Sequence, residues 1–224
     1  MKTNRMCIAL SLLALCVAMT AQTIYAQSPV ELRKKAQKLY NDGNYKDALE
    51  VFQPLALSTG ADPDVAGNDM RMAVSCLQTL DRNKETDDFL EKFVDVHSNK
   101  WRALFAAGQM WFHAQHYGTI IAGKFERGPH RGSGRYVNCF ERDRGRALQL
   151  MDRARVLGEA AAPGSNENLK SSLAGFYLEF AQVLMGYRGY QDAWRLQYLT
   201  DFSKLPDYED GYWHGDYCAA SPQG

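Results

Sequence analysis

The chain has 224 residues, 46% of them hydrophobic and 12% aromatic, with 26 basic and 26 acidic side chains. That is enough apolar material for one sizeable core, and the balanced charge gives no global drive toward nucleic acid or an anionic membrane. Five cysteines with no C-x-x-C pair exclude a disulfide-built scaffold.

Residues 1–26 read as a secretory signal. Lys2 and Arg5 form a basic start, Ile8 to Met19 an apolar stretch too short to span a bilayer, and Ala26 a small residue suited to cleavage. A lipoprotein site at Cys16 is excluded by Leu15, where a small residue is needed. The expected product starts at Gln27 and is secreted or periplasmic. It carries 24 basic and 26 acidic residues and no segment that reads as transmembrane. Cys76, Cys139 and Cys218 remain, either as free thiols or with one Cys139–Cys218 bridge.

The stretch "SPVELRKKAQKLYNDGNYKDALEVFQPLA" opens with Ser28 as helix cap, Pro29 at the first helical position and Glu31 completing a capping box. Leu32, Ala36 and Leu39 share one face. Gly43 breaks the helix, and Ala48, Leu49, Phe52 and Leu55 mark a second amphipathic helix. The pattern Ala36-x2-Leu39-Tyr40-x2-Gly43-x-Tyr45-x2-Ala48-Leu49-x2-Phe52 resembles a tetratricopeptide repeat. That resemblance implies a stacked array of helical hairpins with a continuous binding face.

A shift of 37 residues carries Ala36 onto Ala73 and Phe52 onto Phe89. With Asp62-Pro63 as a cap, residues 63–80 and 85–97 read as a second hairpin. A third begins at Trp101, with Leu104, Phe105, Gly108, Trp111 and Phe112 on its stripe, and resumes at about 141–161, where Ala147-Leu148-x2-Met151-x2-Ala154 repeats the small–large–small rhythm. A fourth starts with Leu169, Leu173, Phe176, Tyr177, Phe180 and Leu184, and its second helix is expected near 189–202. The expected fold is therefore all-α: a right-handed α-solenoid of about four tetratricopeptide-like hairpins with a long loop, residues 117–140, inserted in the third. The repeat domain spans 27–205, and an aromatic, acidic tail spans 206–224.

A second likeness covers about 100–215. The run from His116 to Ala154 is similar to a segment in the helical N-terminal region of very large bacterial alpha-2-macroglobulin-like envelope proteins. This chain lacks their β-sandwich series and thioester segment. A detached N-terminal piece of such a protein is accordingly one expectation, and the shared motif implies no catalytic role.

Chemistry concentrates in the inserted segment. Between Lys124 and Arg155, nine basic residues face four acids, while residues 201–217 hold five acids against Lys204. Arginine forks and glycine amides suit anions, but "GPHRGSGR" matches neither phosphate-loop pattern. The readings are an intramolecular docking of the basic loop on the acidic tail, a partner contact through Arg127, His130, Arg131, Arg135 and Tyr136, or a small-anion site. Tyr212 and Trp213, in "YEDGYWHGDY", are the candidate platform for a glycan or peptide.

His113 and His116 stand one helical turn apart. A metal would need further ligands, for which His130, Cys139, His214 and Cys218 are the supply, and no metal or other cofactor is expected. "ERDR" at 141–144 reads as a solvated first helical turn. No G-x-S-x-G or H-E-x-x-H motif is present, and an enzyme on this scaffold would require an acidic pair facing one groove. The expected function is a non-enzymatic interaction scaffold for a protein or peptide of the cell envelope, with a glycan-binding or peptide-binding protein as the alternative.

Overall fold

The computed structural model describes residues 28–162, 167–186 and 204–210. It is mostly helical, with seven helices among the described residues: α1 (Pro29–Asn41), α2 (Tyr45–Ala56), α3 (Pro63–Thr79), α4 (Thr86–Val96), α5 (Trp101–Phe112), α6 (Phe140–Ala161) and α7 (Glu167–Met185).

Local chemistry sets the helix ends. The Ser28 hydroxyl accepts the Glu31 N–H at 3.2 Å and the Glu31 carboxylate accepts the Ser28 N–H at 3.0 Å, the reciprocal box read from the sequence. Asp62 accepts the N–H groups of Asp64 and Val65 ahead of Pro63. The turn between α1 and α2 passes through Gly43 at φ +81°, a conformation that only glycine adopts without strain.

Packing runs from helix to helix: α1 on α2, α2 on α3, α3 on α5, α5 on α6 and α6 on α7. Small residues sit where helices approach closest. Ala36 and Ala48 are fully buried, and a Cβ on Gly108 would lie 3.0 Å from Met151 and 3.3 Å from the Ala147 carbonyl. Phe176 of α7 is wholly buried against Trp101, Phe105 and Phe180, which anchors α7 to α5. Burial of such a side chain contributes about 1.5–3 kcal/mol. The second helix expected near 189–202 lies outside the described residues.

The all-α expectation is corrected at the insertion. Residues 117–140 are not a loop: they hold β1 (Tyr117–Ile121), β2 (Lys124–Arg127) and β3 (Arg135–Asn138), which with β4 (Glu209–Asp210) form an antiparallel sheet in the order β2-β1-β3-β4. Ile121 pairs with Lys124, leaving Ala122 at φ +48° and Gly123 at φ +80° as a two-residue turn. Two successive positive φ values match the twist of paired strands. Thr119, Ile120, Ile121 and Val137 supply β-branched side chains to the pleated surface.

Candidate functional site

The sheet is fastened to the helices by a buried ion network centred on Arg127, at the end of β2. Its guanidinium donates to both Asp143 oxygens at 2.7 and 2.8 Å, to both oxygens of Asp87 in α4, and to the Gln115 carbonyl. The Arg127 and Asp143 side chains are each only 2% exposed. His116 joins from the link between α5 and β1: one ring nitrogen lies 2.9 Å from Asp143 Oδ2 and the other 3.0 Å from the Phe112 carbonyl. The Cys139 thiol lies 3.3 Å from the same Asp143 oxygen.

These contacts drive the two carboxylates apart. Burial pushes Asp143 up, but the hydrogen bonds and charges of Arg127 and His116 outweigh it and hold the carboxyl below its ordinary value. For Asp87 burial wins over the attraction of Arg127, and the charge of Asp143 adds to the upward shift. Burial also pushes the Cys139 thiol well up, so it stays protonated and unreactive.

In front of this network lies a cleft of about 260 Å³, walled by Asp87, Glu91, Trp111, Phe125, Asp143 and Arg146 and closed on one side by Arg142, Leu205 and Tyr208. Glu91 and Arg146 are paired with each other. Arg142 makes no ion pair with a carboxylate among the described residues. It donates instead to the Pro206 carbonyl at 3.2 Å and lies 4.7 Å from the Tyr208 ring centroid. Tyr208 in turn stacks on Phe125, centroids 4.7 Å apart and planes 23° from parallel.

Residues 204–210 form a strap along this cleft and the sheet. Leu205 and Pro206 lie over Gly145 of α6, where a Cβ would come within 3.1 Å of Pro206. Beyond Tyr208 the strap becomes β4: Glu209 pairs with Asn138 and Asp210 with Val137. Asn138 donates to the Glu209 carboxylate and Arg135 to Asp210, at 3.2 and 2.8 Å.

The residues singled out in the sequence are thus divided. Arg127 is not a rim contact but the buried centre of the network. Its length and five N–H groups let it serve two helices at once. Arg131 and Arg135 are exposed, and His130 and Tyr136 are half-buried and joined by the Tyr136 hydroxyl donating to the His130 carbonyl at 2.9 Å. Among the described residues, the docking of basic insertion on acidic tail occurs at one ion pair, Arg135 with Asp210. Most of the other arginines of the 124–155 segment find acids on the helices instead. Tyr212, Trp213, His214 and Cys218 lie outside the described residues, and Cys76 and Cys139 are buried free thiols.

The first turn of α6 is not solvated. Asp143 and Arg144 are both buried, and Arg144 donates to the Val183 and Leu184 carbonyls that end α7. His113 is exposed while His116 is buried in the network, so the two do not face one ion. Among the described residues no three His, Cys, Asp or Glu side chains gather as a metal site. None of the described helices is long and apolar enough to cross a membrane. Asp87 was not singled out in the sequence, and the partners of Asp143 and Tyr208 could not be read there, because they lie far along the chain.

Comparison of the chain with protein-family models, with curated proteins and with solved structures found no match.

Proposed function

We propose that the chain works outside the cytoplasm, secreted or periplasmic, as a non-enzymatic interaction module for a protein or peptide of the cell envelope. Its helical hairpins, stacked as a right-handed tetratricopeptide-like solenoid, are the frame, and the sheet inserted in the third hairpin carries the recognition surface. One observation supports this reading above the others. The β3 edge and the adjoining cleft already hold an extended segment, residues 204–210, through backbone pairing, a ring stack and charge. Strand addition to a sheet edge is a common way to bind extended peptides.

The non-enzymatic part rests on Arg127. Asp87 and Asp143 do line one groove, as an enzyme on this scaffold would require. Arg127 nevertheless occupies both oxygens of each, which leaves neither placed to exchange protons with a substrate.

The test is a selection of displayed peptides on the immobilised full chain. Enrichment of a recurring sequence that binds in solution is the expected outcome, and a selection no richer than one on bare support refutes the reading. Export is tested separately by expressing the full chain in a bacterium and reading the N-terminus of the periplasmic product, expected at Gln27.

A second reading is favoured by the cleft itself, where Trp111, Phe125 and Tyr208 supply aromatic surface and the buried Trp111 indole N–H meets no acceptor among the described residues. A glycan or peptide fragment held there would change tryptophan fluorescence on titration.

A further inference from the structure

The strap is recognised in detail yet buried nowhere. Its backbone adds a two-residue strand to β3. Its tyrosine lies between the Phe125 ring and the Arg142 guanidinium. The two acids that follow the tyrosine meet Asn138 and Arg135, and its Pro206 carbonyl accepts from Arg142. Yet all seven residues 204–210 are exposed or half-buried. The Arg135–Asp210 pair has side chains 56% and 77% exposed, and such pairs hold little.

Specific reading combined with slight burial describes an exchangeable ligand. We propose that residues 204–210 are the resident occupant of a peptide-recognition edge, and that the partner is a protein segment of the same chemistry: extended, with an aromatic residue followed by two acids. The incoming segment pairs with β3, places its ring between Phe125 and Arg142, and gives its acids to Asn138 and Arg135. This deepens the interaction reading above by naming the surface and the class of partner.

Tethering gives the strap an advantage, because an attached segment acts at a high effective concentration. A free peptide therefore binds the native chain with its affinity reduced by the fraction of chains whose strap is open.

The test uses the full chain, with Cys218→Ser to remove a competing thiol. The probe is a fluorescein-labelled peptide of the strap's own sequence, LPDYED, followed by polarisation. Asn138→Cys with Glu209→Cys places two thiols at directly paired positions, so oxidation locks the strap and reduction frees it. In a second chain, Tyr208→Ala with Asp210→Lys weakens the strap and leaves the edge intact. The probe is expected to bind this second chain at least about ten-fold more tightly than the native chain. The reduced double-cysteine chain, whose edge has lost Asn138, is expected to bind it measurably but less tightly than the second chain, and the oxidised chain to reject it. The same peptide with its tyrosine changed to alanine is expected to bind none of them.

Equal binding to locked and freed chains overturns the proposal. So does absence of binding to the weakened-strap chain when its circular dichroism matches the native one. The two readings fail separately: peptides selected on the full chain that ignore the lock refute the edge and spare the interaction module. Failure of the selection with lock-sensitive binding of LPDYED does the reverse.

Discussion

Arg127→Met keeps the aliphatic stem and volume of the side chain while removing the guanidinium that joins β2 to α4 and α6. Asp143, 2% exposed, is then left with His116 and the Cys139 thiol, and the Gln115 carbonyl keeps only the distant Cys139 thiol, 4.0 Å away. Breaking a buried ion pair from one side costs about 3–5 kcal/mol. Because His116 stays beside Asp143, the lower end, about 3 kcal/mol, is expected. Urea unfolding followed by circular dichroism at pH 7 measures it. Asp143→Asn combined with Arg127→Met removes both charges, so the double loss is expected to fall short of the summed single losses by about 1–3 kcal/mol. Arg135→Ala, which opens only the exposed pair with Asp210, is expected to stay within about 1 kcal/mol of native.

The network also sets a pH signature. Asp143 is held below its ordinary value of 3.8 in the fold, so its contribution is complete above that pH and is lost as pH falls toward the folded value. Without Arg127 that contribution is gone, and the gap between native and variant should close in acid. An Arg127→Met chain within about 1 kcal/mol of native at pH 7, or strict additivity with Asp143→Asn, would refute the network as the sheet's attachment.

Other predictions concern the sheet and the core. Ala122→Asn puts a residue that tolerates the left-handed region at φ +48° beside Gly123, and a gain of about 0.5–1 kcal/mol is expected. A lowered melting temperature would rule out the two-residue turn. Gly118→Ala would place a Cβ 2.3 Å from the Glu126 carbonyl oxygen and 2.5 Å from the Phe125 ring. It should cost about 1–3 kcal/mol, whereas Gly60→Ala, which meets nothing within 4 Å, should be close to silent; equal effects would sink the register. His97 is buried with one ring nitrogen 2.8 Å from the Ala56 carbonyl. Burial, with help from Lys100, holds it below its ordinary 6.5 against the pull of that hydrogen bond. The unfolded chain therefore takes up the proton first, and stability present above pH 6.5 falls as pH drops toward the folded value. Urea midpoints between pH 7.5 and 5 should show the decline in the native chain and a flatter profile in His97→Phe, and parallel profiles would contradict it.

The candidate site was legible only in pieces. The arginines of 124–155 and the acids of 201–217 stood out as opposite charges, and among the described residues one ion pair between them, Arg135 with Asp210, forms. Arg127 and Asp143 looked like surface charges because burial is not written at a single position. Arg127 meets Asp87, 40 residues earlier, only once α4, α5 and α6 have packed. The strands had a local signal that went unread: "TIIAGKF" places two residues ending in glycine between β-branched and aromatic neighbours, a hairpin pattern inside a helical chain.

What the sequence by itself determined is the set of local structures. The capping box at Ser28 and Glu31, the cap at Asp62, the break at Gly43 and the apolar stripes of seven helices depend on neighbours within a few residues, so they can be read along the chain. What only the tertiary structure decided is which charges lost their water and which distant segment became the sheet's fourth strand. Those outcomes follow from contacts between residues as far apart as Arg135 and Asp210. A desolvated carboxylate requires a partner supplied by another element. A sheet edge takes whichever segment the packed helices bring to it, and here they bring residues 204–210 to β3.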